Sequence, residues 1–222
     1  MSILKGCLAG TLAVACSASA GAAPLTLTNP VTDPYQMTSQ NPCIIGGDQC
    51  NAVEPAGFAF TVLPTGGGSQ TYDATATYTG QQILDFIGTS FFVGIDVNST
   101  RSNPATEDLE FFGVYVNNVL LYEYGTIGGA PTPLYITNNG TGFSDALLST
   151  VNLAGLQGAD QVMFRAIIQD ATDGRENIFL INTDAPTCEE LGNCPPNDVP
   201  EPTSLALLGA GLLAAGFARR KR

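Results

Sequence analysis

The chain has 222 residues, enough for one sizeable domain with its own core. It carries 20 Asp and Glu against eight Lys and Arg, a net charge of −12, and contains no histidine. The missing histidine excludes Ser-His-Asp and Cys-His nucleophile systems and all His-ligated metals, and the acidic surface excludes nucleic acid as a partner.

Residues 1–22 read as a secretory signal peptide. Lys5 supplies a positive start, Leu8 to Ala15 is a short apolar run, and Ala18-Ser19-Ala20 places small residues at the spacing a signal peptidase accepts. Ala20-Gly21-Ala22 offers a second register, so cleavage is expected between Ala20 and Ala23. The run is too short for an uncleaved anchor. A lipoprotein acylated at Cys16 is the alternative, weakened by Ala13 standing where such sites carry Leu. Between the two ends, Pro24 to Pro200 keeps only Arg101, Arg165 and Arg175 against 19 acids, a net charge of −16.

Residues 23–56 form a turn-rich segment with short strands expected at Leu25–Thr28 and Tyr35–Thr38. The body holds Cys43, Cys50, Cys188 and Cys194. An even count on an export route implies disulfides. Three pairings exist, and the short separations favour Cys43–Cys50 and Cys188–Cys194 over any metal site.

Residues 57–183 read as strands. Phe58, Phe60 and Val62 alternate, then Tyr72 to Tyr78 alternates again after the Gly66-Gly67-Gly68 loop. Phe91, Val93, Ile95 and Val97 share one face. Phe112, Val114 and Val116 run into Asn117-Asn118, a two-residue turn that Val119 and Leu121 follow. Ser144 to Val151 is expected to form a helical turn capped by Ser144. A second hairpin is expected to pair Val162–Gln169 with Glu176–Asn182. The count of short strands predicts an all-β fold, a single antiparallel β-sandwich of the jelly-roll kind. No long repeat points to a solenoid. Residues 184–199 form a linker with the second cysteine loop.

The tail, residues 200–222, has three parts. Pro200, Glu201 and Pro202 hold the chain extended. Thr203 to Ala218 is uncharged, about 24 Å long as a helix against a hydrocarbon core of about 30 Å, a marginal transmembrane span. Arg219, Arg220, Lys221 and Arg222 form a cytoplasmic stop. Val-Pro-Glu-Pro, an apolar Leu/Ala/Gly helix and an Arg cluster together resemble the PEP-CTERM sorting signal. The resemblance covers Val199 to Arg222 only. It implies an exosortase, a multi-pass membrane protease, as partner, with Pro200, Glu201 and Pro202 as the residues recognised. It also implies a Gram-negative bacterium that makes exopolysaccharide and biofilm, an inner-membrane intermediate, and delivery to the outer surface or matrix. Some ice-binding proteins carry the same kind of tail, so the tail does not fix what the body does.

Two sets of body residues could carry chemistry. Asp96, Asn98, Glu107, Asp108, Asp170 and Asp173 sit at strand ends, and acidic loops at one end of a sandwich could supply the six to eight oxygens that calcium takes. Tyr115, Tyr122 and Tyr124 flank the Asn-Asn turn and could stack on sugars as a ligand face. The expected function is a non-enzymatic, adhesive or structural surface protein associated with exopolysaccharide. A calcium-dependent carbohydrate-binding module, an ice-binding protein and a carboxylate glycosidase are the alternatives.

Overall fold

Alternation governs the body, and the backbone follows it. The computed structural model describes residues 21–47, 50, 54–55, 57–63, 69–98, 107–136, 142–171 and 176–192. Strand β5 (Gln70–Thr79) buries Tyr72, Ala74, Ala76 and Tyr78 and exposes Thr71, Asp73, Thr75, Thr77 and Thr79, the period of two of a half-buried strand. β6 (Ser90–Asp96) buries Phe91, Val93 and Ile95 on one face. β7 (Asp108–Val116) and β8 (Val119–Gly125) meet at Asn117 and Asn118, whose φ angles are 50° and 65°. Positive φ at both central positions is the tight hairpin turn that Asn tolerates, as the sequence led us to expect.

The remaining strands are β1 (Ala23–Pro24), β2 (Leu27–Thr28), β3 (Cys43–Gly46), β4 (Thr61–Val62), β9 (Thr132–Pro133), β10 (Ala146–Asn152), β11 (Gln161–Ala171) and β12 (Asn177–Asn182). Among the described residues the helices are α1 (Gly80–Phe86) and α2 (Cys188–Leu191), both short. One sheet has the order β1-β8-β7-β11-β5, with β9 also on β7; the other runs β2-β10-β6-β12-β3-β4. Their inner faces share one core. Phe164 of β11 joins the layers, with ring centroids 5.9 Å from Tyr78, 6.1 Å from Phe91 and 6.3 Å from Phe112. The all-β reading holds, but the sheets are mixed rather than purely antiparallel. β1 runs parallel to β8, and β3 parallel to β4, in two-residue pairings at or next to sheet edges.

Four local expectations are corrected. Residues 146–152 form strand β10, not a helical turn. Ala146, Leu148 and Val151 are fully buried between β2 and β6, and sheet packing overrides the helix-forming Ala and Leu. β11 and β12 do not pair with each other. β11 lies between β5 and β7, while β12 lies between β3 and β6, so the connection crosses from one sheet to the other. In the Phe58–Val62 run, only Phe58 is fully buried, and Val62 is 55 % exposed. The stretch at Tyr35–Thr38 makes a single bridge, Gln36 to Phe143, rather than a strand. Helix α1 was not anticipated, although Thr79 and Gln82 form a reciprocal capping box at its start.

The outer face of the β6/β12 sheet is not left to solvent. Residues 30–41 and 182–191 fold over it, packing Met37, Tyr35 and Ala185 onto Phe179, Ile181, Phe92 and Leu147. Gly94 fits this crowding: a Cβ there would lie 2.7 Å from the Phe179 ring and 2.9 Å from Ile181. Cys43 and Cys50 are fully buried in the same cluster and form a disulfide, with Cα atoms 5.4 Å apart. Cys188 is also disulfide-bonded, and Cys194 lies outside the described residues. Replacing Cys43 and Cys50 together by Ala is expected to cost about 2.5 kcal/mol, the loop-closure entropy of so short a ring. Urea unfolding of the oxidised protein and the double variant measures it, and equal midpoints would refute it.

Candidate functional site

Chain connectivity gathers the acidic residues. β6 ends at Asp96, which pairs with Asn177 at the start of β12, and β10 begins beside Ile95, just after Asp145. β7 begins at Asp108, whose partner is Gln169 near the end of β11. Only residues 172–176 separate β11 from β12, so these strand ends lie at the same end of the sandwich. Asp96, Glu107, Asp108, Asp145, Asp170 and Glu176 therefore share it, with Glu110 further along β7. Asp173 lies outside the described residues. Arg101 and Arg175, two of the body's three arginines, belong by sequence to the β6–β7 and β11–β12 connections, also outside them.

The acids divide into two groups. On one sheet, Asp96 is 1 % exposed, and its Oδ2 accepts from the Gly142 N–H at 2.8 Å and the Asn177 Nδ2 at 2.9 Å. Burial pushes the Asp96 carboxyl up to about 7, against those two hydrogen bonds and helped by the negative charge of Asp145. Asp145 is itself buried, and its Oδ2 accepts from the Val97 N–H at 2.8 Å. On the other sheet, burial and then the charges of Asp170 and Glu107 raise the Asp108 carboxyl. Glu110 accepts from the Gly128 N–H at 2.6 Å and from Gln169. Asn98 is half-buried just past the end of β6. Among the described residues no group of three or more His, Cys, Asp or Glu could hold a metal ion. Asp96 in particular already spends one oxygen on two donors from its own chain. The described residues thus do not assemble a calcium shell.

Sequence reasoning found no sign that any acid is buried. The structure buries Asp96, Glu107, Glu110, Asp145 and Glu176. A usable signal existed at Asp96, which directly continues the strongly apolar strand Phe91–Ile95.

The three tyrosines do not form one face. Tyr122 and Tyr124 pack toward the core. The Tyr122 hydroxyl donates to the Asn152 carbonyl at 2.8 Å and accepts from its N–H at 3.2 Å, and the Tyr124 hydroxyl donates to Thr132 Oγ1 at 2.7 Å. Tyr115 points the other way, beside Gly113 and Arg165. Arg165, the only cation among the described residues, makes a two-pronged bond to Asp73, Nε to Oδ1 at 2.8 Å and Nη2 to Oδ2 at 2.7 Å.

The residues expected to carry sorting, Pro200, Glu201 and Pro202 with Arg219, Arg220, Lys221 and Arg222, lie outside the described residues. Residues 198–222 match a family model described as the PEP-CTERM protein-sorting motif. The tail is a PEP-CTERM sorting signal. No curated protein and no solved structure matches the chain. The PEP-CTERM motif implies export to the cell surface and processing by an exosortase, a sorting enzyme. Among the described residues no helix is long and apolar enough to cross a membrane, and the span expected at Thr203–Ala218 falls outside them.

Proposed function

We propose that this chain is a non-catalytic adhesive or structural protein of the biofilm matrix, held in the exopolysaccharide of a Gram-negative bacterium after exosortase sorting through a transient inner-membrane intermediate. The observation that carries the reading is the PEP-CTERM motif at residues 198–222. An acidic, all-β, disulfide-linked body behind a signal-like N-terminus supports it. The buried pair Asp96 and Asp145 has the raised carboxyl that a glycosidase acid needs. With exposures of 1 % and 3 %, however, neither offers an oxygen to a substrate.

In the producing cells, removal of residues 200–222, or substitution of Pro200, Glu201 and Pro202 by Ala, is expected to abolish surface and matrix retention of the protein. Fractionation followed by immunodetection measures this. The matrix-bound protein is expected to stay bound when calcium is chelated; release by a chelator would instead favour the calcium-dependent module. A wild-type protein recovered free of polysaccharide would overturn the adhesive reading.

A further inference from the structure

A groove of ≈ 500 Å³ opens where the cover layer meets α1, within the roughly 300–1,000 Å³ of small-molecule sites. One wall is the turn at residues 36–41. Thr38 Oγ1 accepts from the N–H groups of Gln40 and Asn41 at 3.1 and 3.2 Å, and Asn41 Nδ2 donates to the Gln36 carbonyl at 3.0 Å. The other wall is the turn after β12. Asn182 Oδ1 accepts from the Asp184 N–H at 2.8 Å, and Asn182 Nδ2 reaches the Ile87 carbonyl at 3.3 Å. Phe86 supplies an apolar surface between them. Both walls are therefore fixed by their own hydrogen bonds before any ligand arrives.

The lining has a specific chemistry. Gln36, Gln40, Asn41 and Asn182 bring side-chain amides, each both donor and acceptor. Among the described residues Asp184 is the only charged one in the lining, so anions are disfavoured. Asn41 is 6 % exposed, and its Oδ1 has no hydrogen-bond donor, an uncommon state for a buried polar atom. A ligand bearing adjacent hydroxyls matches this set. Each hydroxyl both donates and accepts and can meet the exposed Gln40 amide and Asp184 carboxylate, and a sugar ring's C–H face meets Phe86. We infer that the groove between residues 36–41 and 182–191 binds a neutral saccharide. The inference deepens the matrix reading, and rests on it for the source of the ligand.

The test uses the exported protein purified from its producer. Saturation-transfer NMR is recorded with maltotriose, cellotriose, chitotriose and mannotriose, each up to 20 mM. At least one is expected to show transfer to its ring protons. Gln40→Ala and Asp184→Ala lie at exposed positions and are checked for an unchanged urea midpoint. Each is expected to weaken binding roughly five- to tenfold, the worth of one hydrogen bond. Equal binding by wild type and both variants, or no transfer with any of the four sugars, overturns the groove assignment. Matrix retention is scored on the same variants. If the wild type is retained while the groove result is negative, only the groove assignment falls. If retention is absent as well, the matrix reading falls with it.

Discussion

Replacing Phe164 by Ala is expected to lower the stability of the domain by about 4 kcal/mol. The side chain is fully buried on β11 and touches rings from both sheets, Tyr78 and Phe112 on its own side and Phe91 across the layer. Removing it takes away apolar burial and leaves a void that three large rings cannot close by small shifts, because each is itself held in a packed strand. For a domain of this size the loss corresponds to a fall in melting temperature of roughly 8–16 °C. Phe164→Leu keeps most of the volume and is expected to lose clearly less. Urea unfolding of the three proteins decides the matter. A loss below about 1 kcal/mol for the Ala variant would show that Phe164 is not the joint between the sheets.

The second large effect is a pH dependence centred on Asp96. Its folded pKa, about 7, lies above its unfolded value of 3.8. The folded state therefore binds the proton more tightly, and the associated stability is complete below pH 4 and is lost as pH rises through 7. The full span corresponds to a loss on the order of 4 kcal/mol. Asp96→Asn keeps an oxygen to accept from Gly142 and Asn177 but cannot ionise. Relative to wild type it is expected to be near-neutral at pH 4 and increasingly stabilising toward pH 8. Unfolding curves at pH 4.5, 6 and 8 measure the difference, and a wild-type-to-variant gap that does not change with pH refutes the assignment. The comparison isolates Asp96 because Asp108, raised in the same direction, is present in both proteins.

What the sequence disclosed depended on how local the cause was. Alternation in β5 and β6 reports which face is buried, and burial is a property of each strand, so Tyr72–Tyr78 and Phe91–Ile95 were legible. Asn117-Asn118 was legible because positive φ is a cost that few residues accept. Pairing partners were not. Residues 162–169 and 176–182 look like a hairpin from their spacing, yet a connection this short can cross a sandwich as easily as turn within a sheet. The strand at 146–152 was hidden for the same reason: Leu148 and Val151 take their conformation from β6 and β2, not from their neighbours in sequence. For the candidate sites, the gathering of acids followed from the order of strand ends. The inward turn of Tyr122 and Tyr124 depended on a register shift in the β7–β8 pair, between Val114 and Tyr115, which no periodicity records. The groove joins residues 36–41 to 182–191, about 140 positions apart, so sequence spacing could not have found it.

The cover over the β6/β12 sheet has a mechanical consequence. Its two parts are clasped by a hydrogen bond from the Cys188 N–H to the Pro34 carbonyl at 2.9 Å, and beyond them the chain runs on to the sorting tail. Tension applied from that side loads α2 and this hydrogen bond first. β12 lies behind them, held along both edges by β6 and β3, and yields only when two ladders shear together. Under tension from the tail, α2 is therefore expected to detach before β12 shears from its sheet.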